Sequence, residues 1–311
     1  MTALREIKFL SQVDHQNVVK LKEVVSSKPS ESTRGKGSVY MVFEYAECDL
    51  VGLMKTAKLK EAHIMCLMKQ LFEALHFAHK NNILHRDIKP SNVLVNGEGI
   101  VKLADWGLCR QALPGGKFTN RVVTLWYRAP ELLLGEQQYT SAIDMWAMGC
   151  LMAELLLGKA ILPGKDEIDQ LKKIFDLCGT PGQGNWPKGW DNLPMAKELQ
   201  VFKTDAVPSQ VQLRFASLSA QARDLVLKML ELDPSKRITA SQALDHDYFW
   251  GTDPKPSLPS MIPVPKGDGL HEFQLKEAEA ARVQERNKHH DGGHHHHHHD
   301  KKWKRVSPVK H

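Results

Sequence analysis

Apolar residues recur at Leu4, Ile7 and Leu10, three apart, so the chain is expected to open inside a helix. Val18–Val25 and Ser38–Glu44 hold short runs rich in β-branched and aromatic residues, which predict two strands joined by a Ser/Lys/Gly loop. Ile64, Leu67, Met68, Leu71, Leu75 and Ala78 fall on one face of a 3.6-residue repeat and predict a long core helix. Short apolar runs at Val93–Val95 and Ile100–Leu103 predict two further strands, and Asp144-Met145-Trp146 begins another helix. The most apolar stretch, Ala142–Leu162, carries Asp144, Glu154 and Lys159, the pattern of a buried helix and not of a membrane span. From Gly179 to about Val211 the chain is rich in Gly, Pro and Trp. After Trp250, Pro254, Pro256, Pro259, Pro263 and Pro265 predict an extended strap, and Glu272–Lys288 is charged enough to read as a surface helix.

Composition narrows this little. The chain of 311 residues has room for one large domain and a tail, and its net charge of +6 is mild. Five cysteines without a Cys-x-x-Cys pair fit a reducing compartment and argue against a zinc or disulfide framework. No signal peptide and no membrane segment are expected. Beyond His289-His290, the run His294–His299 reads as native low complexity. The basic Lys301-Lys302-Trp303-Lys304-Arg305 reads equally well as nuclear targeting, as weak nucleic-acid contact, or as a solvated tail.

Three motifs change the picture: His85-Arg86-Asp87-Ile88-Lys89-Pro90-Ser91-Asn92, then Asp105-Trp106-Gly107, then Ala129-Pro130-Glu131. In this order they suit phosphoryl transfer, where positioning and charge neutralisation dominate. Asp87 is placed to accept or orient the proton of an attacking hydroxyl, and Lys89 to offset charge on the transferred group. Asn92 and Asp105 offer oxygen to Mg²⁺, a hard cation. Gly107 is expected to let the chain turn after Asp105.

These motifs resemble those of protein kinases, and Lys89, two residues after Asp87, resembles the serine/threonine type. Phe118-Thr119-Asn120-Arg121-Val122-Val123-Thr124-Leu125-Trp126-Tyr127-Arg128-Ala129-Pro130-Glu131 resembles the activation segment of cyclin-dependent kinases, and Thr2-Ala3-Leu4-Arg5-Glu6-Ile7 the end of their cyclin-binding helix. A MAP kinase would show Thr-x-Tyr in that segment. Leu132-Leu133-Leu134-Gly135, Gly164-Lys165-Asp166-Glu167 and His271-Glu272-Phe273-Gln274 are most similar to the transcription-elongation branch, plant C-type members included.

The resemblance implies an α+β, bilobal kinase fold: a small N-lobe remnant over 1–45, a mostly α-helical C-lobe over 46–250, and a tail over 251–311. It implies ATP and Mg²⁺ as cofactors, with Asp87, Lys89, Asn92, Asp105 and Thr124 as catalytic residues and Asn92 and Asp105 as metal ligands. Glu6, Phe43, Glu44, Ala46 and Leu94 would line the ATP site. Thr119 would be the activating phosphosite, received by Arg5, Arg86 and Arg110; Val122 and Arg128 would shape a pocket for proline after the phosphoacceptor. Asp144 would brace the catalytic loop, and Glu131 would pair with Arg237. A cyclin partner, Ser/Thr-Pro substrates such as the RNA polymerase II C-terminal repeat domain, and a nuclear location (the cytoplasm second) are implied as well.

One departure matters. No glycine-rich phosphate loop and no strand lysine precede His85: Gly35-Lys36-Gly37-Ser38-Val39-Tyr40 imitates such a loop but follows the Glu6 helix, with no strand lysine at the expected distance. The sequence therefore reads as N-terminally truncated and, as written, a poor or inactive kinase. The rival reading is a non-catalytic, kinase-like protein that binds a partner.

Overall fold

The computed structural model describes residues 2–28, 37–112, 115–180, 187–197, 208–251, 253–267 and 270–291. The histidine run, the basic segment and most of the Ser/Lys/Gly loop lie outside these residues, as does part of the Gly/Pro/Trp-rich stretch. The chain divides into two compact units, Met1–His271 and Glu272–His311.

The first unit opens with α1 (Thr2–Leu10). The chain thus opens inside a helix, as the spacing of Leu4, Ile7 and Leu10 predicted; its core face is Glu6, Phe9 and Leu10, while Leu4 stands 73% exposed. Strands β1 (Leu21–Ser26) and β2 (Val39–Phe43) form an antiparallel hairpin, with a register shift between Leu21 and Glu23. The expected strand began at Val18, but Val18 and Val19 are buried and pair with Leu103 instead. Both strands leave much apolar surface in water: Val24, Val25, Val39, Tyr40 and Val42 are all exposed.

The chain then enters β3 (Cys48–Asp49) and α2 (Leu50–Thr56), which Asp49 caps by accepting from the Gly52 N–H at 2.8 Å. The long helix α3 (Glu61–Lys80) buries all six positions of its predicted face. Strands β5 (Val93–Val95) and β6 (Val101–Leu103) pair with each other, and β3 adds to β5. The two-residue strands β4 (Ile83–Leu84) and β7 (Arg110–Gln111) bracket them in sequence and pair together. α4 (Pro130–Leu133) precedes α5 (Ala142–Leu157), which has 13 buried residues and is the centre of the helical part. Around it lie α6 (Glu167–Cys178), Ala220–Met229 and Ala240–Leu244. Among the described residues no helix is long and apolar enough to cross a membrane.

The proline-rich strap packs against α3 and the turn between β5 and β6. Ser257 N–H donates to the Ala62 carbonyl at 2.9 Å, and His271 Nε2 meets the Ala46 carbonyl at 3.2 Å. Two glycines make room for it: a Cβ on Gly99 would stand 1.9 Å from the Pro259 carbonyl oxygen, and one on Gly52 1.8 Å from that of Leu270. The second unit holds the helix Glu272–Asp291, with Lys276 paired to Glu272 at 2.7 Å across one turn.

Candidate active site

The site grows from one buried carboxylate in the centre of the helical part. Asp144 is 1% exposed; its Oδ1 accepts from the Arg86 N–H at 2.9 Å and its Oδ2 from the His85 N–H at 3.0 Å. His79 Nε2 reaches the same Oδ2 at 2.9 Å. Burial pushes the Asp144 carboxyl up, but the hydrogen bond and charge of His79 and the Arg86 N–H outweigh it and hold the group ionised. These bonds stabilise Arg86 in the left-handed region, φ 70°, a conformation that costs a non-glycine residue about 1–3 kcal/mol. The loop is thereby fixed before any ligand arrives.

His85 is fully buried. Its Nδ1 accepts from the Asp87 N–H at 3.2 Å, so Nε2 carries the proton and donates to the Ala104 carbonyl at 2.9 Å. Burial holds this imidazole below its ordinary pKa, which suits the neutral tautomer. Trp106 lies against it: the indole is fully buried, edge-on to His85 at 4.5 Å and tilted on Phe9 at 4.5 Å, with Nε1 donating to the Leu103 carbonyl at 2.9 Å.

Asp87 gathers three neighbours. Lys89 Nζ sits 2.8 Å from Oδ2 and Asn92 Nδ2 3.1 Å from the same atom, while Thr124 donates to Oδ1 from Oγ1 at 3.0 Å and from its N–H at 3.2 Å. Burial pushes the Asp87 carboxyl up, and the hydrogen bonds and charge of Lys89, with the Thr124 bond, carry it below the usual carboxylate range. Asn92 also donates to the Asp87 carbonyl at 2.8 Å, and its Nδ2 is 3.5 Å from Asp105 Oδ2. Among the described residues no donor reaches Asn92 Oδ1, which leaves an amide oxygen beside a carboxylate. That donor pair fits Mg²⁺, which is held by one or two protein oxygens plus phosphate and water. The left-handed residue here is Asp105, φ 57°, and not Gly107: a short polar side chain tolerates that region, and it turns the chain at the carboxylate itself.

Of the residues expected at the ATP site, Phe43 ends β2, Glu44 and Ala46 fall in the β2–β3 connection, and Leu94 lies in β5. The Glu44 carboxylate is engaged: Oε1 accepts from the Lys20 N–H at 2.8 Å and pairs with Lys102 Nζ at 3.0 Å. Glu6 is 8% exposed and its carboxylate accepts from the Trp106 N–H; burial first, and the charge of Asp105 second, push its pKa up. Among the described residues no lysine or arginine pairs with it.

In the segment after β7, Thr119 is exposed and Val122 buried. Val123 is β-branched yet sits at φ 66°, and its carbonyl accepts from Arg128 Nε at 3.2 Å and Nη2 at 3.1 Å; Arg128 Nη1 pairs with Glu167 at 2.7 Å. Arg237 grips Glu131 with both forks, at 2.8 and 3.1 Å, in full burial. Arg86 and Arg110 lie near Tyr139, whereas the Arg5 side chain is outside the described residues. Motif reading missed Val123, Glu167, His79 and Tyr139. Their roles rest on backbone conformation and distant partners, and His79 alone carries a local sign: a histidine in the last turn of α3, just before the loop it supports.

A family model described as protein kinase domain matches residues 1–249. Cyclin-dependent kinase C-1 of rice is 46% identical over 309 residues, covering 93% of this chain and 58% of the relative. Human cyclin-dependent kinase 9 is 43% identical over 264 residues, 83% of this chain and 70% of that one. Among solved structures, the yeast RNA Pol II CTD kinase CTDK-1 complex holds a chain that is 39% identical, with a TM-score of 0.76 over 84% of each chain. The chain belongs to the protein kinase family and, within it, to the cyclin-dependent kinases of the C-type and kinase-9 group. It spans little more than half the length of the first of these relatives, 58% of the rice C-1 kinase and 55% of the rice C-2 kinase.

Proposed function

We propose that this chain supplies the catalytic loop and substrate platform of a nuclear, cyclin-dependent serine/threonine kinase that transfers the ATP γ-phosphate to Ser/Thr-Pro sites. The observation that carries the reading is the Asp87 cluster. Its depressed pKa makes Asp87 a weak base at neutral pH, so its part is to orient the attacking hydroxyl and take the proton late. Thr124 holds the carboxylate on one side, and Lys89 stands ready to leave it for the transferred group. When bound, Mg²⁺ at Asn92 and Asp105 would neutralise phosphate charge. The connection at Glu44 and Ala46 would hold adenine through backbone groups, with Phe43 and Leu94 as apolar walls.

Selectivity for proline follows from Val123. Its carbonyl is taken up by Arg128 and so offers no acceptor to a substrate N–H; an ordinary residue there would bury an unpaired donor, and proline has none. The yeast CTDK-1 complex is described as an RNA polymerase II CTD kinase, and a Ser-Pro-rich repeat of that kind is the substrate we propose. A cyclin is the proposed partner of the α1 side.

Glu6 favours a second reading, a kinase-like protein that binds a partner without transfer, because no cation among the described residues meets it. One experiment separates the two. The 311-residue chain is purified with a cyclin and given MgATP and either a Ser-Pro or a Ser-Ala repeat peptide. Transfer to Ser-Pro alone, lost in Asp87→Asn, supports the kinase. A stable cyclin complex with no transfer and no measurable MgATP binding supports the partner-binding reading. Equal rates on both peptides would remove the argument from Val123.

A further inference from the structure

Arg86 is 2% exposed, and among the described residues no carboxylate forms a salt bridge with its guanidinium. Neutral oxygens hold it instead: Nε donates to the Leu108 carbonyl at 2.7 Å, and Nη1 donates to the Tyr139 hydroxyl at 2.8 Å. That hydroxyl passes the connection on, donating its own proton to the Thr119 carbonyl at 2.8 Å. Tyr139 is 6% exposed, and its ring lies 5.3 Å from that of Phe118, whose N–H is bonded to the Gln137 carbonyl at 2.9 Å. The backbone of Thr119 is therefore tied down while the residue itself stays exposed.

We propose that Tyr139 is a positioning residue: its hydroxyl links the catalytic-loop arginine to the backbone of Thr119 and stands in for a phosphate on Thr119 until one is added. The tie itself needs only the geometry; the stand-in role rests on the reading of Thr119 as the phosphosite. A hydroxyl is suited to it because one oxygen both accepts from a guanidinium and donates to a carbonyl. A phosphate on Thr119 would meet the same guanidinium with charge-assisted bonds, stronger than the neutral one they replace. Tyr139 thus keeps the segment near its working position in the unmodified chain, and becomes redundant in the modified one.

The test compares Tyr139→Phe with the parent chain, each prepared with ordinary threonine and with genetically encoded phosphothreonine at 119, so that catalysis is not needed. The readout is trypsin cleavage after the exposed Lys117 and Arg121, with amide exchange in Ala142–Leu157 followed in parallel. In the unmodified chain Tyr139→Phe is expected to speed cleavage at least about fivefold, the effect of one lost hydrogen bond. In the phosphorylated chain the difference should vanish. Equal acceleration in both forms, or a matching rise of exchange throughout α5, would make Tyr139 an ordinary core residue and overturn the proposal. A Tyr139→Phe chain as resistant as the parent sinks the tie. A phosphate that leaves cleavage of the parent unchanged sinks the reading of Thr119, and the stand-in role with it.

Discussion

At the residue scale, the catalytic loop is held by groups whose protonation is fixed by burial. His85 stays neutral because charging it would bury a cation and take away the acceptor for the Asp87 N–H. Its folded pKa lies below the unfolded value of about 6.5, so its contribution is complete above that pH and is lost as pH falls below it. Urea midpoints measured from pH 8 to 5 should be level above about 6.5 and then decline, with a shallower decline in His85→Asn. A level profile in the parent down to pH 5 would refute this account. The Glu131–Arg237 pair makes a second case. Arg237→Met leaves a carboxylate 2% exposed without its partner, and should cost about 3–5 kcal/mol in urea unfolding. Adding Glu131→Leu should restore most of the loss; a double variant as weak as the single one would contradict that.

At the element scale, the strap depends on two absent side chains. Gly99 has φ 77° and faces the Pro259 carbonyl, whereas Gly158 has φ 73° with nothing within 4 Å of its Cβ position. Gly158→Ala carries only the left-handed backbone cost of about 1–2 kcal/mol. Gly99→Ala adds displacement of the strap, and should both destabilise further and speed trypsin cleavage after the exposed Lys266, once the backbone there is no longer docked. Equal stability losses in the two variants would mean that the strap docks elsewhere. The proline spacing announced an extended strap, but nothing local could tell where it lies, because its receptors are single glycines far off in sequence. The same division runs through the rest of the chain. Helix α3 was legible because six apolar residues keep one period, and the grouping of Asp87, Lys89 and Asn92 was legible because they fall within six residues. The start of β1 was misread since Val18 and Val19 serve β6, and the opening helix was legible, though a period of three does not say which flank of a short helix is covered, and Leu4 stands outside the core. Val123 gave no sign, because its sequence neighbours do not reveal a positive φ.

At the scale of the whole molecule, the β1–β2 hairpin carries a cluster of exposed apolar residues. Five large apolar residues stand in water on two strands whose outer edges pair with no other strand among the described residues, a surface that favours association. The chain alone should associate with rising concentration in sedimentation, and Val24→Glu with Val39→Lys should weaken this without lowering the melting temperature. Unchanged sedimentation would clear the hairpin of that role. Docking of α1 on the rest of the first unit turns on Trp106, packed between Phe9 of the helix and His85 of the loop. An indole in that place is also a lamp. Shielded from water, it should emit toward the blue, and a protonated imidazole beside it would quench it. The difference in emission between the parent and Trp106→Phe isolates this one ring from the other six tryptophans of the chain. Whatever shifts α1, be it a protein partner or a nucleotide, should then announce itself as a change of colour and brightness from a single buried chromophore.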